Sequence, residues 1–250
     1  MKPSPTIFYQ FALSHYCEKV RWALDYKGVS YEVVNFIPGP HIFQARRLAP
    51  KTSVPILMND GEVIQDSTKI IDHLERKYPK RPLNPAREDL KKEALELEEY
   101  FDEEVGVHLR RLMYFYVLED RRLASSLLLQ NAPGYGRSLY RVLFPILRKM
   151  MKRAMKIYPE PTRRSEQRLT EALDRLGKQV SKDPFLVGGQ FSRADLAAAS
   201  LLAPLCTPAE HDFDWPALET MPEPLQAFRR AHEHGPAFDW VLKVYKQFRR

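Results

Sequence analysis

Cysteine is scarce in this chain: there are two among 250 residues, Cys17 and Cys206. Two cysteines cannot build a disulfide scaffold, so a reducing, cytoplasmic setting is expected. No uninterrupted apolar run approaches the ~20 residues that span a bilayer. The opening Met1-Lys2-Pro3-Ser4-Pro5 leads into a strand-like segment without the apolar stretch of a signal peptide. Repeats and low-complexity tracts are absent too. Acidic residues are scarce in one window. From Arg137 to Arg168, ten basic residues face only Glu160 and Glu166, so the net charge of +7 is a local excess. An electrostatic partner is expected at 137–168, either an anionic membrane or an acidic protein. Nucleic acid is not the expected partner, because these basic residues lack interleaved aromatics and a recognition motif. What is present is ample core material: 44% hydrophobic residues beside 28% charged ones, at a length that suits one large domain or two modest ones.

Periodicity divides the chain in two. Thr6–Tyr9 and Tyr31–Phe36 are short, apolar and β-prone. Between them Val20, Ala23 and Leu24 fall at helical spacing from Cys17 to Lys27, with Gly28 as the stop. Pro38-Gly39-Pro40 breaks the chain before a short helix at His41–Leu48. Asn59-Asp60-Gly61 joins Ile56–Met58 to Glu62–Ile64 as a hairpin. Asp66 or Ser67 caps a helix that ends near Tyr78-Pro79. The order βαβαββα fills residues 1–80, and 81–88 reads as a linker, with Asn84 as N-cap and Pro85 as first helical residue. From 89 to 250 the pattern is helical. Leu90, Ala94, Leu97, Phe101, Val105, Leu109 and Leu112 make one apolar face. Further helices are expected around Ser138–Ile157, Ser165–Val180, Ser192–Ala203 and Ala237–Arg249. The fold class is α+β: a small mixed domain, then an all-α domain.

Three segments carry chemistry. Ser14 sits at the mouth of the first helix, where unpaired N–H groups and the helix dipole favour an anion such as a thiolate. Bringing a thiol pKa from ~8.5 to ~6.5 takes about 2.7 kcal/mol of preferential stabilisation, within reach of a hydroxyl donor plus a helix terminus. Ser14 is equally a helix cap. Val54-Pro55 suits a cis bond that turns the Val54 backbone toward a cleft, where an extended peptide can pair with it; a trans proline at a strand start is the alternative. Asp66-Ser67 opens a helix. The hydroxyl and helix amides suit a carboxylate and the aspartate an ammonium group, although simple capping uses the same residues.

Together, Ser14-His15-Tyr16-Cys17, Val54-Pro55 and Asp66-Ser67 resemble the glutathione transferase superfamily, over most of the chain. The resemblance implies a thioredoxin-like N-terminal domain and a helical C-terminal one. It implies a cis Val54-Pro55 whose valine backbone holds the glutathione cysteine, and Asp66 (the family more often has glutamate) with Ser67 at the γ-glutamyl end. Ser192 and Asp195, in Gly-Gly-Gln-Phe-Ser-Arg-Ala-Asp-Leu, match the family's buried capping box, a folding element. Glutathione is then the co-substrate, no metal is expected, and Ser14 activates the thiol for attack on small hydrophobic electrophiles. Cys17 offers a second chemistry, thiol–disulfide exchange, provided it is exposed. A non-enzymatic or membrane-associated binding protein on the same fold is a third reading.

Within that resemblance, His41 or Lys51 is a candidate contact for the glycine carboxylate, and Tyr16 a neighbour of the tripeptide. Arg110, Arg111, Tyr114 and Tyr116 border a second-substrate pocket between the domains that suits a flat or anionic electrophile. A homodimer is expected. The helical domain is longer than is usual for the family, the excess falling between Met113 and Arg164. Its stripe of Leu139, Leu143, Ile146, Leu147, Met150, Ala154 and Ile157 is expected to pack on the protein, with Pro145 kinking or interrupting the helix.

Overall fold

A computed structural model describes residues 5–249 and everything but the side chain of Arg137 among them. The readings made on Met1–Ser4, and Arg137 as a member of the basic window, lie outside the described residues.

Four strands form one sheet in the order β2-β1-β3-β4. Strand β1 (Ile7–Gln10) runs parallel to β2 (Glu32–Asn35) and antiparallel to β3 (Ile56–Asn59), which pairs with β4 (Glu62–Gln65) across the Asp60-Gly61 turn. Both turn residues have positive φ, the left-handed backbone that a two-residue hairpin requires. Helix α1 (His15–Tyr26) and helix α3 (Ser67–Lys77) bury Val20, Ala23, Leu24, Ile70, Ile71 and Leu74 against Phe8 and Leu57 of the sheet. Helix α2 (His41–Leu48) closes the other face, where Ala45 packs with Phe36, Ala49 and Ile56. This is the thioredoxin-like βαβαββα unit.

The second unit is helical: α4 (Glu88–Phe101), α5 (Val107–Val117), α6 (Arg121–Leu128), α7 (Tyr135–Ala154), α8 (Pro159–Val180), α9 (Arg193–Cys206), α10 (Glu223–His232) and α11 (Pro236–Phe248). Every residue of α9 is buried, as suits a helix apolar on all sides. Its capping box forms: the Asp195 carboxylate accepts from the Ser192 N–H at 2.9 Å and from the Ser192 hydroxyl at 2.8 Å. A third donor, the Leu186 N–H at 2.8 Å, ties the preceding loop to the same carboxylate.

Three expectations are corrected. Asn84 does not cap α4, which starts at Glu88; its amide oxygen accepts from the buried Arg193 at 3.0 Å instead. The long apolar face after the linker is buried as expected, but its helix is interrupted by a π-helical turn at Asp102–Gly106. Helices α6 and α10 lie outside the helices expected from the sequence, although each is amphipathic. Finally, α7 runs through Pro145 as one element, and its stripe is split: Leu147 is buried, whereas Ile146 and Met150 are exposed.

A network of buried charge joins the two units. Lys19 of α1 is fully buried and pairs with Glu98 of α4 at 2.6 Å and with Asp102 at 2.7 Å. Arg193 of α9 pairs with the same Glu98 and, at 2.7 Å, with Asp72 of α3. A second network centres on Glu18, fully buried, which pairs with Arg21 at 2.8 Å and Arg249 at 2.8 Å. The Trp22 indole donates to the Phe248 carbonyl at 3.1 Å, so α1 also grips the end of α11.

Candidate active site

Sheet topology gathers the three sequence segments. The start of β3 pairs with the end of β4 (Ile56 opposite Gln65) and with β1 (Tyr9). Ser14, Val54-Pro55 and Asp66-Ser67 flank those strand ends, so all three lie at one end of the sheet. The Val54-Pro55 bond is cis. Neither the N–H nor the carbonyl of Val54 takes part in a hydrogen bond among the described residues, which leaves a strand-like edge open to an extended peptide. The Pro55 carbonyl accepts from the Asp66 N–H at 3.3 Å, which joins the second segment to the third.

Gln65, which directly precedes Asp66-Ser67 and to which the sequence reading gives no separate role, holds this edge. The Gln65 side chain accepts from the Lys51 N–H at 3.0 Å and donates to the carbonyls of Lys51 and Ser53 at 2.8 and 2.7 Å. It clamps the loop that leads into Val54. A lone glutamine at a strand end carries no sequence signal for such a role.

Ser14 caps α1 and its Oγ accepts from the Cys17 N–H at 3.3 Å. Capping and activation are therefore not alternatives. Accepting one N–H leaves the hydroxyl proton free to be donated, and Ser14 lines a cavity of about 430 Å³ between the two domains. His15 and Tyr16 line it as well and fix its floor. The Tyr16 hydroxyl donates to the Asp102 carbonyl at 2.7 Å, and His15 Nε2 donates to the Gly106 carbonyl at 3.1 Å. Both acceptors belong to the π turn, so the first turn of α1 is seated on the irregular turn between α4 and α5. Burial drives the His15 pKa down to about 3 and pushes the Tyr16 hydroxyl well above its ordinary value. Neither is an acid or base near neutrality.

Asp66 is exposed and uses Oδ1 to accept from Thr68 and Lys69 at 3.1 and 3.3 Å, leaving Oδ2 without a protein partner among the described residues. Ser67 is buried at the same helix start, and its hydroxyl is uncommitted. His41 lines the cavity and accepts from the Gly39 N–H through Nδ1 at 3.0 Å, which puts its proton on Nε2. Burial lowers its pKa, so it offers a neutral hydrogen-bond donor and not the cation that the sequence suggested.

Other expectations fail here. Cys17 is fully buried, does not line the cavity, and its thiol pKa is raised by burial. A thiol that is neither accessible nor ionised has no route to disulfide exchange. Lys51 is exposed and lies off the cavity wall. Of the four second-pocket candidates, Arg110 and Tyr114 line the cavity, and burial pushes the Tyr114 pKa up to about 12. Arg111 is instead a brace: it donates to the Met155 carbonyl at 3.1 Å and to Ser165 Oγ at 2.7 Å. Tyr116 is absent from the wall. The sequence reading missed Trp215, Arg229 and the α7 residues Leu147, Met151 and Ala154, all of which line it. The amphipathic pattern of α10 was the available signal for Arg229; Trp215 lies in irregular chain with none.

Comparison with known proteins follows the same two-part division. The family profile described as "Glutathione S-transferase, N-terminal domain" matches residues 8–82, and "Glutathione S-transferase, C-terminal domain" matches residues 159–234; together they span more than half of the chain. Glutathione S-transferase 1 of Dianthus caryophyllus is 41% identical over 90 residues, which are 35% of this chain and 40% of that protein. The chain thus aligns with under half the length of that relative. Among solved structures, the beta-etherase LigF of Sphingobium superposes with a TM-score of 0.64 at 21% identity, covering 96% of this chain and 99% of the other. A glutathione S-transferase of Ceriporiopsis subvermispora, solved in complex with glutathione, gives 0.65 at 13% identity, covering 99% and 98%. Those structural likenesses concern the fold. With both family domains matched in order on that fold, the chain belongs to the glutathione S-transferase family.

Proposed function

We propose that the protein is a glutathione transferase in which Ser14 donates its hydroxyl proton to the glutathione thiolate. The observation that carries this reading is the position of Ser14: a hydroxyl at a helix N-terminus, its proton without an acceptor among the described residues, on the wall of a mostly apolar cavity that Val54 also lines. Glutathione lies along the Val54 edge, with its γ-glutamyl end at Asp66 and Ser67. Its sulfur points to Ser14, where the hydroxyl and the helix dipole favour the charged form. The apolar cavity holds the electrophile against that sulfur, so the catalytic gain is a lowered thiol pKa plus proximity. The protein detoxifies small electrophiles in the cytoplasm as a homodimer. Two unpaired cysteines support the reducing compartment.

The test is conjugation of a chloronitrobenzene with glutathione. Ser14→Ala is expected to lower kcat/KM by about 100-fold, the scale of losing one preorganised donor to a developing anion. In the same variant the bound thiol should titrate closer to its free value, followed by thiolate absorbance. Full conjugation by Ser14→Ala, with loss in Cys17→Ala, would sink the reading.

A second reading concerns α7. Its solvent face exposes Val142, Ile146 and Met150 among Arg141, Lys149 and Arg153, and the helix has no acidic residue. We propose that this face rests on an anionic membrane surface, apolar groups inward and cations at the headgroups.

A further inference from the structure

We infer that the second substrate is a monocarboxylic acid with a sizeable apolar body, and that Arg110 receives its carboxylate. This rests on the transferase reading for the reaction but not for the binding.

The cavity wall contains two arginines and no aspartate or glutamate. Arg110, on α5, makes no ion pair and no hydrogen bond among the described residues, and its Nε is buried without an acceptor. Its guanidinium lies over the face of Tyr16, with the ring centroid 5.8 Å away. Two other wall residues carry a buried donor without a hydrogen-bond acceptor, although Arg229 is ion-paired with Glu233 at 3.7 Å. The Trp215 Nε1 is buried without an acceptor, and so is Arg229 Nε. Arg229 is otherwise anchored, donating through Nη1 to Thr207 at 2.8 Å. It belongs to α10, which packs against α5.

A buried N–H without an acceptor is a standing penalty, and natural interiors seldom tolerate it. A ligand that offers an acceptor relieves that penalty, and of the two wall arginines Arg110 is the one without a carboxylate partner among the described residues. The uncompensated charge of Arg110 makes an anionic acceptor the better match, because a charged pair in a water-poor cavity gains more than a neutral one. The rest of the wall sets the shape of the ligand. Leu127, Leu128, Leu147, Met113 and Met151 offer no polar atoms. A small dicarboxylate would leave these side chains uncovered and bury its second charge among them, which is costly. A single acid group on an apolar body satisfies both halves of the wall.

The test is binding in the absence of turnover, using calorimetry on the whole protein. The probes are phenylbutyrate, its methyl ester and succinate. Phenylbutyrate is expected to bind about tenfold or more tighter than the ester, with succinate weaker than both. Arg110→Met should bring acid and ester toward equal affinity, and Arg110→Lys should keep part of the preference. Trp215→Phe removes one donor without a charge and should cost the acid about two- to threefold more than the ester; it serves if Arg110→Met fails to fold. Equal affinities for acid and ester in the unmodified protein overturn the inference. So does an Arg110→Met protein that loses glutathione affinity while still preferring the acid. A protein that prefers the acid but conjugates nothing refutes the transferase reading alone. One that conjugates neutral electrophiles and binds acid and ester alike refutes this inference alone.

Discussion

Gly106 shows how one residue sets the site. It ends the π turn, and a Cβ built there would overlap the Tyr16 hydroxyl and lie 3.1 Å from Leu201. Only a missing side chain lets α1 approach closely enough for Tyr16 and His15 to bond the carbonyls of Asp102 and Gly106. Gly106→Ala is therefore expected to cost about 1–3 kcal/mol, the usual scale of overpacking. It should also lower turnover, since Ser14 rides on the same helix turn. Tyr16→Phe removes the clashing oxygen, so the double variant should regain part of the lost stability in urea titrations. Additive losses in the two variants would place the strain elsewhere.

Among the elements, α1 has the most demanding surroundings. Its Glu18 is fully buried against Arg21, Arg249, His211 and the Tyr245 hydroxyl. Burial alone would raise the carboxyl pKa, but the surrounding cations win and lower it to about 2. The neighbouring His211 is lowered to about 4 by burial and stays neutral near pH 7. A depressed carboxylate stabilises the fold above its unfolded pKa and loses that contribution as pH falls through its folded value. Glu18→Gln should thus lower stability by about 3–5 kcal/mol near neutrality, because it takes the carboxylate from buried Arg21 and leaves Arg249 with Asp25 and Asp212. The gap between the variant and the original protein should close as pH falls from about 4.5 toward 2, followed by denaturant midpoints at each pH. Asp195 has the opposite sign. Burial raises it to about 6, so its contribution is fully present below its unfolded pKa and is lost as pH rises from there through about 6.

For the molecule as a whole, the interface between the domains combines a continuous apolar core with a buried ionic network. Lys19, Glu98, Asp102, Arg193 and Asp72 connect α1, α3, α4, the π turn and α9. Lys19→Met leaves Glu98 with Arg193 alone and Asp102 without a cation, and it is expected to lower stability by about 3–5 kcal/mol. Near- and far-ultraviolet signals should still move together, since neither domain keeps its covering face without the other. The proposed membrane face also belongs to this scale. The protein should sediment with phosphatidylserine vesicles and not with phosphatidylcholine ones, and Lys149→Glu with Arg153→Glu should abolish the difference. Equal pelleting with both vesicles would count against it.

The sequence by itself determined the βαβαββα order of the first unit and the helical character of the second, and it marked the three segments that the sheet brings to one end. Strand alternation, Asn59-Asp60-Gly61, Asp66 and the Ser192–Asp195 box are local signals, written within a few residues of where they act. It could not determine that Cys17 turns inward, because a cysteine in a first helical turn has the same neighbours in sequence whether it faces a core or a cleft. Nor could it separate Arg110 from Arg111. The two are adjacent, yet one helix step rotates them by about 100°, so one faces the cavity and the other braces α8. The π turn, the Gln65 clamp and the placing of Arg110, Trp215 and Arg229 on one cavity wall depend on contacts between residues far apart in the chain. Tertiary packing alone decides those, because the energy that selects them is in the neighbours and not in the residue.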